Sequence, residues 1–199
     1  MNIGGWSGVI FGLGLLIAGG MISLPTAAET GEDIQAFYSA HQQIVIIQQI
    51  IGALLLVPFL AFARTLDRRS RGVVVGYGRW LTLAALAVAA AELATNVLAL
   101  ALAAALSPSP AVAHALTIAL DLADAALFAA IAFFAVAAAP TEWTWLRGLG
   151  LFVAALTITR AFVSPIGITL LDAVAPLAFL AYVLVLSTRT ILLDRAQYS

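Results

Sequence analysis

Six long apolar stretches dominate the sequence and limit what the chain can fold into. They cover residues 3–24, 41–63, 76–106, 112–139, 145–166 and 167–187. A helix needs about 20 apolar residues to cross the hydrocarbon core of a bilayer. Long Ala, Leu and Val runs without two-residue alternation favour helices over a transmembrane barrel. The sequence predicts an all-α polytopic membrane protein, a bundle of six transmembrane helices forming a single domain over residues 1–199.

Composition supports this class and excludes several others. The chain is 63% hydrophobic and 10% charged, whereas a soluble domain has roughly 45–50% apolar and about 25% charged residues. With no Cys, disulfides, thiolate metal sites and cysteine nucleophiles are excluded. A net charge of −1 gives no reason to expect a nucleic-acid partner. We also expect no metal and no cofactor, because the two His residues are predicted at different depths.

The basic residues predict the orientation of the bundle. All nine are Arg, and all but Arg160 lie in the second and fourth connections, at the start of span three or after span six: Arg64, Arg68, Arg69, Arg71, Arg79, Arg147, Arg189 and Arg195. The first connection instead carries Glu29, Glu32 and Asp33. The positive-inside rule then places both termini in the cytoplasm. High Ala content and exclusive use of Arg are typical of a high-GC bacterial genome, which indicates the bacterial cytoplasmic membrane.

Several local features are predicted from the same pattern. Residues 31–43 are expected to form an outer amphipathic helix leading into span two. Spans five and six are expected to form a tight hairpin around 164–167. The third stretch exceeds one perpendicular span, so it is either tilted or begins in the interface at 76–79. Pro58 and Pro176 are positioned to break spans two and six.

Charged residues inside the spans are the main functional signal. Four acids and one base lie there: Glu92, Asp121, Asp124, Asp172 and Arg160. On insertion scales each costs about 2.5–3.5 kcal/mol, so such groups pair, face the bundle interior or serve a function. Span four carries a single polar stripe at helical spacing, formed by His114, Thr117, Asp121 and Asp124. Similar stripes pair Glu92 with Asn96 in span three, and Asp172 with Thr169 in span six.

Depth, counted at about 1.5 Å per residue, places these groups in the outer half of the membrane. Arg160 and Asp172 lie at matching depth in neighbouring helices, which predicts a structural ion pair. Glu92, Asp121 and Asp124 lie deeper. The inner half of every span is almost purely apolar. The sequence therefore predicts a polar cavity that is entered from the outer side and closed below.

Glu92, Asp121 and Asp124 share a region with a single Arg, and that Arg is expected to pair with Asp172. Ionising all three acids there would cost much free energy, so we expect at least one to be protonated at neutral pH. A neutral carboxylic acid in an apolar site is a general acid. We therefore predict catalytic roles for Glu92, Asp121 and Asp124. The predicted substrate-binding residues are Gln48, Asn96, Thr117, Phe128, Arg160, Asp172, His41 and His114. Phe128, Phe133 and Phe134 are expected to shield a developing cation.

This pattern predicts an enzyme that uses buried acids to isomerise or cyclise a lipophilic small molecule. The alternative is a small proton-coupled transporter or a substrate-binding membrane subunit that uses the same acids. A purely structural role is the third interpretation, in which Glu92→Gln and Asp121→Asn would be silent. Membrane lipid and the lipophilic molecule are the expected partners, and a homo-oligomer is compatible with the sequence.

Several loose motifs carry a family resemblance. Phe37, Tyr38 and His41 form a Phe-Tyr-x-x-His element, span four contains Asp-x-x-Asp-Ala from Asp121, and residues 145–151 read Trp-Leu-x-x-Leu-Gly-Leu. This order resembles a family of small bacterial six-helix membrane proteins without an established activity, so it implies fold and membrane location only. The paired intramembrane acids are also similar to those of membrane-bound terpenoid cyclases, which implies acid catalysis on a lipophilic substrate.

Overall fold

The computed structural model describes residues 3–70, 78–104, 109–139, 144–164 and 170–197. These residues contain no strand and form six helices: α1 (Ile3–Gly19), α2 (Gly31–Ser70), α3 (Gly78–Ala103), α4 (Pro110–Ala138), α5 (Thr144–Val163) and α6 (Leu171–Gln197). The five helices from α2 to α6 are long and apolar enough to cross a membrane, and α1 is a shorter apolar helix. The predicted all-α polytopic bundle is confirmed.

The helices form a closed ring. Helices that follow each other in the chain pack side by side, α1 also packs against α6, and α2 contacts α4 across the bundle. Short connections between adjacent helices make neighbours antiparallel. We call the end that carries the α1–α2, α3–α4 and α5–α6 connections the first-connection side. The opposite end, with both termini and most of the arginines, is the arginine side.

Helix α1 ends five residues before the predicted boundary at residue 24, and a glycine pair explains the difference. Gly19 is its last residue, and the Gly20 N–H donates to Leu16 O at 3.1 Å, which closes the final turn. The Gln48 side chain of α2 then donates to Ala18 O at 2.9 Å and to Ile22 O at 3.0 Å. Ala18 O also accepts the Met21 N–H at 3.2 Å, so this amide adds a second hydrogen bond there and ties the end of α1 to α2.

Helix α2 includes the predicted outer helix and runs on into span two. Its start is capped by Thr30, whose Oγ1 donates to Asp33 Oδ2 at 2.6 Å and accepts from the Asp33 N–H at 3.2 Å. The helix departs from helical geometry at His41, with φ −118° and ψ 17°. Pro58 lies inside α2, and Pro176 lies inside α6. Both helices continue through these prolines, so the breaks that the transporter alternative places at Pro58 and Pro176 are wrong; the departure from helical geometry in α2 lies at His41.

Helix α3 is longer than one perpendicular span, as the sequence predicts. Helix α3 has 26 residues, which gives a length of about 39 Å at 1.5 Å per residue. It therefore exceeds a hydrocarbon core of roughly 30 Å, which is compatible with a tilted helix and with a first turn at Gly78 and Arg79 in the interface. Some predictions fall outside the described residues. They concern the turn expected around 165–167, Thr169, Arg71 and residues 76–77.

Glycines let α1 approach its neighbours closely on the arginine side. A methyl group at Gly8 would overlap Ser187 Oγ of α6 and lie 2.8 Å from Phe62 Cδ2 of α2. One turn further, a methyl group at Gly12 would lie 2.8 Å from Leu184 Cδ2 of α6. Small residues at such positions permit close helix packing in membranes. The α1–α6 contact is therefore tight from the arginine side as far as Gly12.

Candidate functional site

Arg160 of α5 joins three helices. Its Nη1 donates to Asp124 Oδ2 of α4 at 2.6 Å, and its Nε lies 3.1 Å from Asp172 Oδ1 of α6. The second contact is within ion-pair distance but lacks hydrogen-bond geometry, since neither atom has a hydrogen-bond partner among the residues that the structure describes. The guanidinium carbon also lies 3.7 Å from the centroid of the Phe128 ring, a cation–π contact. The proximity expected for Arg160 and Asp172 is confirmed, and Asp124 is a second carboxylate on the same cation.

Asp121 and His114 of α4 both bind Ala27 in the first connection. Asp121 Oδ2 accepts the Ala27 N–H at 2.9 Å, and His114 Nε2 lies 3.1 Å from Ala27 O. Both polar backbone groups of Ala27 are thereby satisfied by side chains two turns apart on one face of α4. The polar stripe of span four therefore has two separate roles. His114 and Asp121 bind the first connection, and Asp124 binds Arg160.

Glu92 and Asn96 of α3 face a glycine on α2. A methyl group at Gly52 would lie 3.1 Å from Glu92 Oε1 and 3.3 Å from Asn96 Oδ1. The absence of a side chain at Gly52 therefore leaves the room that these two polar groups occupy. In the described part of the chain, no basic side chain lies within ion-pair distance of Glu92.

A cavity of about 420 Å³ opens beside these groups. Most of its wall is apolar and comes from α1, α2, α3, α4 and α6: Phe11, Leu15, Leu16, Gly19, Gly20, Gly52, Leu55, Leu56, Val88, Leu127, Phe128, Ile131, Ala173, Pro176, Leu177, Phe179 and Leu180. Of the described residues that line it, the charged ones are Glu92 and Asp172. The sequence predicted a polar cavity, whereas the wall is apolar with two carboxyl groups, because most of the polar stripes are used in contacts between helices and the first connection.

Four phenylalanines form a floor beneath the cavity, toward the arginine side. The rings of Phe11 and Phe59 have centroids 4.9 Å apart, those of Phe59 and Phe134 5.2 Å, and those of Phe134 and Phe179 6.3 Å. Phe11 and Phe179 close this aromatic floor with a centroid distance of 6.3 Å. All four side chains are buried. The cavity therefore ends at an aromatic layer near the middle of α1, in agreement with the expectation of a site closed below.

The structure brings together part of the predicted site. Glu92, Phe128 and Asp172 line the cavity, and Arg160 and Asp124 lie directly behind Phe128 and Asp172. The remaining predicted residues are not among the described lining: Gln48, Asn96, Thr117, Asp121, His41 and His114.

Structural contacts account for the predicted residues that lie furthest from the cavity. Thr117 is fully buried and donates from Oγ1 to Ala113 O at 3.0 Å, within its own helix. His41 is exposed at the kink of α2, with Nδ1 3.0 Å from Phe37 O. Of the two further aromatic residues expected to shield a cation, Phe133 packs against Trp80 and Phe134 lies in the floor.

Sequence reasoning missed the contribution of α1 and α6 to the wall. Leu15, Leu16 and Leu177 are ordinary apolar residues of a span, and nothing in their pattern separates a wall that faces a cavity from one that faces lipid. The floor left a detectable signal, because Phe11, Phe59, Phe134 and Phe179 fall at similar depths in four different spans.

The described residues contain no group of three or more His, Cys, Asp or Glu residues placed to hold a metal ion. Comparisons with protein-family models, curated proteins and solved structures find no match to the chain. The family resemblance given by the sequence motifs therefore stays a prediction. Any function has to be argued from the site itself.

Proposed function

We propose that the protein is a membrane-embedded enzyme that binds a lipophilic, terpenoid-like molecule in the cavity and isomerises or cyclises it with Glu92 as the acid. One observation carries this proposal. Glu92 lines the apolar cavity, and no basic side chain of the described residues lies within ion-pair distance of it. A carboxyl group in that setting is costly to ionise, and the neutral acid is a proton donor.

The cavity supports binding of an apolar small molecule. Its volume of about 420 Å³ lies within the roughly 300–1,000 Å³ of ordinary ligand pockets. Apolar walls with a few placed polar groups are typical of sites that bind lipophilic ligands. Phe11 and Phe179 offer ring faces to a cation that develops near the floor.

The proposed chemistry needs one proton and no electron transfer. The O–H proton of Glu92 adds to one carbon of an alkene, the π electrons form the new C–H bond, and the other carbon becomes a cation. Loss of a proton from a neighbouring carbon to the Glu92 carboxylate restores the acid and gives an isomer. Attack by a second double bond on the cation before that loss gives a ring.

The Arg160 contacts limit which other acids take part. Asp124 accepts a hydrogen bond from Arg160, and Asp172 lies within ion-pair distance of the same cation. The Arg160 guanidinium is therefore a direct partner of both carboxyl groups, which separates them from Glu92. In the proposal, Asp172 is an anion at the cavity wall that stabilises a cationic intermediate, and Asp124 positions Arg160.

The proposed location is the bacterial cytoplasmic membrane, with both termini in the cytoplasm and the cavity in the outer half of the bilayer. The arginines in the last turns of α2 and just after it, in α5 next to the fourth connection, and near the end of α6 support this orientation. Phosphatase fusions at the two termini and at residue 28 would test it, since only the fusion in the first connection should be active outside the cytoplasm.

Native mass spectrometry of protein purified gently from its host tests the proposed function. We expect wild type and a Glu32→Gln control, which changes an exposed acid, to carry the same lipophilic metabolite. Glu92→Gln should retain the metabolite without converting it. In D₂O, the wild-type product should gain one deuterium, because the proton donated by Glu92 exchanges with solvent.

Other outcomes would favour other functions. A bound metabolite that never gains deuterium and is never converted would contradict the enzyme proposal and indicate a binding or transport role. Proton flux in liposomes that depends on Glu92 would then support the proton-coupled transporter. Empty protein in every preparation, together with a silent Glu92→Gln variant, would favour the structural role.

A further inference from the structure

The exposed part of the cavity wall is confined to two helices. Of the described lining residues, those from α2, α3 and α4 are buried or only partly exposed. The exposed ones all belong to α1, to Gly20 directly after it, or to α6: Leu16, Gly19, Gly20, Ala173 and Leu177. The cavity therefore opens between α1 and α6, on a face that a spanning bundle turns toward lipid.

The course of α1 explains why the gap lies there. Gly8 and Gly12 hold α1 close to α6 on the arginine side. Beyond Gly12, the next α1 residues on this side, Leu15 and Leu16, line the cavity, as do Pro176 and Leu177 of α6. The two helices are thus in close contact at one end and separated by the cavity toward the other. Leu16 and Leu177, at 51% and 54% exposure, lie at the resulting opening.

At the same end of the bundle, the first connection is held in place by side chains of α2 and α4. Gln48 of α2 holds the last turn of α1 at Ala18 and the start of the first connection at Ile22. That connection is tied to α4 by Asp121 and His114 at Ala27. A ligand that arrives from the aqueous side would have to displace these contacts, whereas one that arrives from the bilayer meets apolar side chains.

We propose that the ligand is dissolved in the bilayer and reaches the cavity sideways, through the opening between α1 and α6 at Leu16 and Leu177. This inference rests on the proposed function for the existence of a lipophilic ligand, and it adds the route by which that ligand enters and leaves. The substrate is a membrane-partitioned molecule with an apolar body, and it leaves by the same opening. A water-soluble metabolite of similar size does not use the site.

Access kinetics test the proposal. The probe is farnesol carrying a diazirine, added to bilayer nanodiscs that contain the protein, with photolysis at increasing times and mapping of the labelled residues by mass spectrometry. We expect Leu16→Trp and Leu177→Trp to slow labelling of cavity residues such as Phe179 more than tenfold, with unchanged labelling at long times. The matched controls are Ile17→Trp and Val174→Trp, which change exposed neighbours on the same two helices that do not line the cavity.

A second measurement uses the wild type and does not depend on any variant folding. Labels at the shortest times should fall on Leu16 and Leu177 and later on Phe179. Early labels within residues 21–30 would instead indicate access from the aqueous side and overturn the proposal. Equal labelling rates in all four Trp variants would also overturn it while leaving the cavity as a binding site. Failure of the probe to label the wild-type cavity at any time would contradict both this inference and the proposed function.

Discussion

The Asp121 carboxylate accepts a hydrogen bond from the backbone N–H of Ala27, a residue 94 positions earlier in the chain, at 2.9 Å. His114 Nε2 lies next to the Ala27 carbonyl. Two side chains of α4 therefore bind the N–H and the C=O of Ala27, in the connection that follows α1. An acid that the sequence placed in the catalytic group thus fixes a loop. In the proposal of sideways entry, that loop is the part of the chain that a ligand arriving from water would have to displace.

Asp121→Ala should release the first connection without changing the cavity wall. A hydrogen bond to a charged group contributes about 1.5–3 kcal/mol, so the Ala27 amide should exchange roughly 10–100-fold faster. Hydrogen–deuterium exchange of residues 21–30 measures this, with Glu32→Ala as a control on the same side of the bundle. Unchanged exchange at Ala27 would contradict the assigned contact.

Arg160→Met should destabilise the bundle strongly, because Asp124 and Asp172 would both lose the buried cation that they contact. Breaking a buried pair by removing one partner costs about 3–5 kcal/mol. Unfolding in mixed detergent micelles measures the change, with Arg147→Met as the control at an exposed position of the same helix. Adding Asp124→Asn and Asp172→Asn to Arg160→Met should restore most of the loss. A triple variant as unstable as the single one would contradict the charge argument.

Gly52→Ala should impair the site through Glu92. The new methyl group would lie 3.1 Å from Glu92 Oε1, closer than ordinary contact, so the carboxyl group has to move. Small displacements of a reacting group reduce turnover by up to about 10²-fold, and we expect a loss of about 10–100-fold. Conversion of the bound metabolite measures it. Gly148→Ala is the matched control, because no atom lies within 4 Å of a methyl group there, and equal activity of the two variants would contradict the prediction.

Phe59→Ala should open the aromatic floor and destabilise the fold. Phe59 is fully buried between Phe11 and Phe134, and truncating a buried Phe to Ala costs about 3–5 kcal/mol. The unfolding midpoint in detergent should fall well below that of Phe152→Ala, which changes an exposed ring on α5. Equal midpoints for the two variants would show that the floor does not stabilise the bundle.

The number and class of helices could be predicted because hydrophobic length dominates folding in a bilayer. The ends were harder to place. Gly19 and Gly20 end α1 before its apolar run stops, and His41 rather than Pro58 carries the kink of α2. The end of α1 and the kink of α2 depend on the local backbone or on contacts with another segment of the chain. Neither can be read from the hydropathy of the sequence.

The site could be predicted only in part, because a polar residue in a span has several ways to satisfy its hydrogen bonds. Arg160 and Asp172 were paired correctly from their depth. Asp121 and Gln48 gave the same signal as Glu92, yet they bind backbone groups of the first connection and of α1. Spacing gives the face of a helix, whereas the partner across from that face depends on the packing of the ring.

The aromatic floor has a further consequence for supply of the ligand. Because Phe11 and Phe179 close the cavity partway along the bundle, the proposed orientation would place a bound molecule within the depth of a single leaflet. An amphiphile inserted into the opposite leaflet has to flip before it can meet the opening between α1 and α6. The rate of spontaneous flipping, which is fast for a neutral prenyl alcohol and slow for a charged lipid, would then decide which molecules the protein encounters.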